Sequence, residues 1–167
     1  IPLRGTSLLV AGFLAVRTGE GRRLPRDRVA FALWPDRSES KARRTLSDAV
    51  YRLRQLTRAS GFELLVTDDD ELGLSDTVGT DVGEFERYAA SSSAADWRAA
   101  LDLYRGPLLV DVDAEWADEA RRALAAEHRR LLAAAWDDRR VSGDRAGELA
   151  VARTWAAREP LDDTAER

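Results

Sequence analysis

The chain has 167 residues and a formal charge of −4, with 34% charged and 44% hydrophobic residues, which suits a soluble globular protein of one domain or two small ones. It has no cysteine and one histidine, His128, so disulfides, thiolate zinc sites and iron–sulfur clusters are excluded and a metal site or Ser-His-Asp triad has almost no material. No apolar run approaches the ~20 residues of a membrane span and no signal peptide is visible, while Ile1 in place of an initiator methionine leads us to expect a missing N-terminal piece.

Ser7–Val16 is apolar almost throughout and predicts a short buried helix, followed by a loop signal at Thr18-Gly19-Glu20-Gly21. Pro25 stands where a first helical residue would, opening a helix over Arg26–Trp34 that Pro35 stops. Ser38 or Ser40 caps the next helix, which runs to about Arg58 and ends at Gly61. Phe62–Thr67 and Glu71–Ser75 flank Asp68-Asp69-Asp70 and predict a β-hairpin with an acidic tip. Three helices and a hairpin outline a winged helix-turn-helix.

From Asp81 onward the pattern is helical. Asp81 caps a helix over Val82–Ala90, Asp96–Tyr104 forms another, and Ala114–Val141 is long and amphipathic. Gly143 and Asp144 turn the chain into Arg145–Arg158, with Pro160 just beyond. Helices paired through short glycine-containing turns predict a helical-hairpin solenoid. A solenoid ending at Arg167 leaves an apolar face uncapped, so a longer protein is expected.

The net charge hides an asymmetry. Residues 1–62 carry 13 Lys/Arg against five acids, a balance of +8, whereas residues 63–76 and 77–167 each carry −6. Local charge sets the field a partner meets, so the basic segment matters more than the acidic total. On the helix from Ser40 to Arg58, steps of ~100° gather Ala42, Leu46, Ala49, Val50, Leu53 and Leu56 toward the core. Lys41, Arg44, Asp48, Tyr51 and Gln55 lie opposite, flanked by Ser47, Arg52, Arg54 and Arg58. Arg offers a bidentate fork to guanine and Gln to adenine, while flanking cations reach phosphates. The competing interpretation is an ordinary solvated amphipathic helix; the position after two helices and before a hairpin favours a recognition helix.

Ala42-Arg43-Arg44-Thr45-Leu46-Ser47-Asp48-Ala49-Val50-Tyr51-Arg52-Leu53-Arg54 resembles the recognition helix of response-regulator-type winged helices. Leu24–Val29 and Ala32–Asp36 resemble the second helix and following loop of the Streptomyces antibiotic regulatory protein family. Asp81–Phe85, Ala100–Leu109, Glu115-Trp116 and Ala146–Pro160, with Leu161-Asp162, are similar to that family's bacterial transcriptional activator domain and its tetratricopeptide-like repeat. The resemblance covers nearly the whole chain. It implies a mainly α protein: a winged helix-turn-helix over residues 1–76, then a C-terminally incomplete tetratricopeptide-like activator domain over 77–167. It also implies a cytoplasmic transcriptional activator that binds double-stranded promoter DNA, forms homodimers and faces RNA polymerase with the loop at Pro35–Ser40. The candidate DNA-contacting set is Lys41, Arg43, Arg44, Ser47, Tyr51, Arg52, Arg54 and Gln55.

The acidic hairpin tip departs from the Arg or Lys expected of a wing that approaches DNA. It leaves open a second expectation, a protein-interaction module whose winged helix no longer grips DNA tightly. Asp68–Glu71 lacks EF-hand spacing and reads as a solvated tip. His128, beside Arg129 and Arg130, is expected at the surface of its helix, and the five tryptophans are expected to pack between helices. No catalytic cleft, cofactor motif or metal-ligand spacing is nominated, so the expected protein is not an enzyme.

Overall fold

The computed structural model describes residues 3–18, 22–68 and 70–158. The expected loop residues 19–21, the tip residue Asp69, and Pro160 with Leu161-Asp162 lie outside them. Among the described residues the fold is mainly helical with one small sheet. In chain order it runs α1 (Gly5–Thr18), β1 (Arg23–Pro25), α2 (Arg26–Leu33), α3 (Glu39–Arg58), β2 (Leu65–Asp68) and β3 (Glu71–Leu74). Then come α4 (Asp81–Ala89), α5 (Ala94–Leu103), α6 (Glu115–Ser142) and α7 (Arg145–Arg158). No described helix is long and apolar enough to cross a membrane.

The chain forms two compact units. One comprises residues 1–83 together with 108–120; the other comprises 84–107 and the chain from 121 on. A single cut after residue 76 therefore does not describe the packing. The reason is apolar: Val112, Trp116 and Ala117 are buried in the same core as α1, α2 and α3.

In the first unit, Val10, Phe13 and Leu14 form the buried stripe of α1, at the i, i+3, i+4 spacing of one helix face. Phe13 meets Trp116 edge-to-face, with centroids 5.3 Å apart and planes at 87°, the geometry the ring quadrupoles favour. Leu109 fills the notch at Gly12, where a Cβ would stand 2.7 Å from its Cδ1. Leu109 does so from a left-handed backbone, φ 46°, which costs a non-glycine residue of order 1–3 kcal/mol.

The sheet is antiparallel, in the order β1-β3-β2. Leu24 pairs with Leu72, and Leu65 with Leu74; all four are buried. Burial of Leu24 draws Pro25 into an edge strand with ψ 132°, so Pro25 precedes the helix rather than opening it. An edge strand end tolerates proline's missing N–H. Trp34 leaves helical geometry before Pro35, and its N–H donates to Ala30 O at 3.0 Å.

The buried arc of α3 is Ala42, Leu46, Ala49, Val50, Leu53 and Thr57. Leu56, expected in the core, is 42% exposed, and Thr57 takes the place at 5%. The 3–4 spacing leads from Leu53 to either position. Thr57 buries at little cost because its hydroxyl donates to Leu53 O at 3.0 Å. The helix closes on Gly61, φ 68°. Phe62 N–H donates to Thr57 O and Gly61 N–H to Arg58 O, at 3.1 and 3.0 Å, the paired bonds of a Schellman ending.

In the second unit, Phe85 and Ala89 of α4, Ala100 of α5 and Leu131 of α6 share a core with Trp97, Leu101, Tyr104 and Leu124. The first residues of α4 still belong to the first unit, where Thr80 caps the helix: its Oγ1 accepts from Gly83 N–H at 3.0 Å, and Asp81, the expected cap, accepts from Val82 N–H instead. His128 is a correction: it is 1% exposed and stacks on Tyr104 at 4.1 Å. Its neighbours Arg129 and Arg130 point outward, but the 4–3 spacing of Leu124, His128 and Leu131 puts it on the apolar stripe. The tryptophans divide by depth. Trp34, Trp116 and Trp155 are buried, whereas Trp97 and Trp136 are half-buried.

Candidate nucleic-acid interface

Twenty residues of α3 give one buried arc and one solvent face. Lys41, Arg44, Asp48, Tyr51 and Gln55 recur at alternating steps of three and four, so they form a single stripe. All five are exposed, Tyr51 by 63%. Fourteen residues of rise make the stripe about 21 Å long. Its side chains take part in no hydrogen bond or ion pair with another described residue; the bonds at Lys41, Asp48 and Gln55 end on their backbone carbonyls.

The other four candidates are engaged within the protein. Arg43 donates through Nε and Nη2 to both carboxylate oxygens of Asp27, at 2.7 and 2.8 Å. This bidentate bond, and then the charge of Asp27, raises the guanidinium pKa above its usual value. Ser47 Oγ accepts from Arg26 at 3.3 Å. Arg52 Nε donates to the carbonyl of Asp48 at 3.2 Å, and Arg54 donates to Thr67 of β2. The eight residues proposed from sequence thus share one helix but not one condition: Lys41, Arg44, Tyr51 and Gln55 are free, while Arg43, Ser47, Arg52 and Arg54 brace α3 against α2, β2 or itself.

Bracing has a second row that composition could not single out. Arg26 and Asp27 open α2, and with Pro25, Arg43, Leu46, Ser47 and Asp70 they line a cleft of about 630 Å³. Arg37, in the loop before α3, donates to Thr45 Oγ1 at 2.8 Å and lies 5.9 Å from the Trp34 ring centre. No sequence spacing announces these partners, because each joins two elements.

The hairpin end is tied down as well. Asp68 pairs with Arg23 at 2.8 Å, and the carbonyl of Asp70 accepts from Arg26 N–H at 2.7 Å. Asp70 and Glu71 are exposed. The surface therefore offers a free stripe with two cations, a phenol, an amide and one carboxylate, beside a negatively charged hairpin end. Such a stripe can donate to phosphate and base acceptors and, through the carboxylate, accept from a base amino group. No model of a known protein family matches the chain, nor does any curated protein.

Proposed function

We propose that the chain is a sequence-specific DNA-binding transcriptional regulator, an activator of the type its sequence resembles. In this reading the first unit is a winged helix-turn-helix. Its α2 and α3 form the helix pair, α3 enters the major groove, and β2 and β3 form the wing. The second unit is a tetratricopeptide-like activator domain that mediates homodimerisation, and the loop at Pro35–Ser40 faces RNA polymerase. The protein works in the cytoplasm and carries no catalytic activity of its own.

The observation that supports this most is the free stripe on α3. A buried arc holds the helix, Arg43, Arg54 and Ser47 fix its orientation, and the groove-reading types stand unengaged on the opposite side. Arg44 and Lys41 supply positive charge for phosphate and guanine, and Gln55 matches adenine. Binding to duplex DNA from the gene's own promoter region is expected to weaken with salt, by a log–log slope of roughly −0.9 per phosphate neutralised. Arg44→Ala should lower affinity by about 1–3 kcal/mol if Arg44 contacts a base. Gel shifts across a salt series test both; no shift at ~50 mM salt argues against the reading.

One observation favours a second reading, a protein-interaction module. The exposed Asp70 and Glu71 at the hairpin end repel phosphates. If duplex DNA is not bound at low salt while a protein partner is, this alternative replaces the first.

A further inference from the structure

Asp48 stands at the middle of the free stripe, with Arg44 one turn before it and Arg52 one turn after. A helical aspartate with arginines at both i−4 and i+4 has a partner within reach on either side. Here it pairs with neither. Arg52 turns its Nε to the carbonyl of Asp48, and Arg44 makes no ion pair with another described residue, so among the described residues the carboxylate stays exposed and unengaged. The sequence placed Asp48 on this face but gave it no role.

We infer that Asp48 is a specificity-determining residue that accepts from the N4 amino group of a cytosine in the major groove; this rests on the DNA-binding reading above. A lone carboxylate in a groove lined by phosphates is repelled unless a base donor meets it. The major-groove edges of guanine and thymine offer only acceptors, and these reject it. Adenine offers N6–H beside the N7 lone pair, which faces the second carboxylate oxygen unfavourably. Cytosine offers N4–H₂ with no adjacent acceptor on its own edge, and so fits best. Arg44 lies about 6 Å along the helix axis from Asp48, roughly two base steps at ~3.4 Å each. Arg44 on a guanine and Asp48 on a cytosine about two steps away would then share one half-site.

The test compares the full chain with Asp48→Ala and Asp48→Asn. Each is used to select sites from a pool of random double-stranded DNA and then titrated on the best site with every base at each position. Circular dichroism checks that the variants stay folded, which is expected because the side chain is exposed. The wild-type chain should require cytosine at one position and lose about tenfold in affinity when it is replaced. Asp48→Ala should lose that requirement and bind random DNA more tightly, since a repelling charge is gone. Asp48→Asn should move the preference at that position toward adenine, which an amide can grip through N6 and N7. An unchanged preference in Asp48→Ala, or a wild-type site with no required cytosine, overturns the assignment to Asp48 while leaving DNA binding intact. A wild-type chain that binds no duplex at ~50 mM salt removes the DNA-binding reading and this assignment with it.

Discussion

Two adjacent arginines show how much a single residue's partner decides. Arg43 and Arg44 are indistinguishable in composition, and both are exposed. Arg43 spends its guanidinium on Asp27 in a fork that a lysine could not reproduce; Arg44 has no partner among the described residues. On the proposed DNA-binding reading, Arg43→Ala should therefore weaken binding less than Arg44→Ala in parallel gel shifts. Asp27→Asn should strengthen binding by releasing Arg43 as a free cation. The Gly12 notch makes a second prediction at this scale. Gly12→Ala pushes against the end of the Leu109 side chain, so the gain of about 1 kcal/mol expected of the better helix former should not be realised in urea unfolding. Combining it with Leu109→Ala should cost less than the two single changes added, because the second change removes the obstacle. The α3 stripe was readable from sequence because helical period alone sorts exposed from buried. The partition into free and engaged side chains was not, since Asp27, Arg26 and Thr67 reach α3 through the fold. Leu56 and His128 stand elsewhere than expected for a related reason: from Leu53 the helical spacing reaches Leu56 and Thr57 alike, and the charges of Arg129 and Arg130 do not report the face on which His128 lies.

At the level of elements, the long helices were legible and their ends less so. α7 was located to the residue because Gly143 and Asp144 turn the chain before it and Pro160 follows it in the sequence. β1 was missed: three residues cannot display a period of two, and only its pairing with β3 makes it a strand. The start of α7 illustrates what an end is made of. Asp144 Oδ1 accepts from Gly147 N–H at 2.9 Å, and Arg139 donates to Oδ2, also at 2.9 Å. The Gly147 bond first, and Arg139 after it, hold this carboxyl below its ordinary value of 3.8. Because the folded value is the lower one, the ionised cap favours the folded state. That contribution is complete above pH 3.8 and is lost as pH falls through the folded value. Amide protection over the first turn of α7, taken against the intrinsic exchange rate at each pH, should fall in that acid window, and Asp144→Ala should show the same loss of protection at neutral pH. Gly147→Ala should also loosen this turn, although alanine is the better helix former. Its Cβ would stand 2.8 Å from Arg139 Cδ and crowd the Asp144 carboxylate.

For the whole molecule, the charge of −4 is the sum of a basic segment over residues 1–62 and an acidic remainder. That partition was visible in the sequence. What was not visible is that the first unit takes back residues 108–120 after the chain has left it at residue 83. Local periodicity marks Trp116 as apolar but cannot say which core receives it. Trp116→Ala should destabilise the first unit by about 3–5 kcal/mol in denaturant titrations. Loss of Trp116 strips Phe13 of its edge-to-face partner, so on the proposed reading DNA affinity should fall together with the folded fraction although α3 is untouched.

The returning segment also sets a clock. On the ribosome α1, the sheet and α3 all emerge before the residues that complete their core, and synthesis advances at about 5–20 residues per second. The Phe13 face and the Gly12 notch therefore wait for some seconds without Trp116 and Leu109, an interval in which a nascent chain of this topology has most need of a holding chaperone.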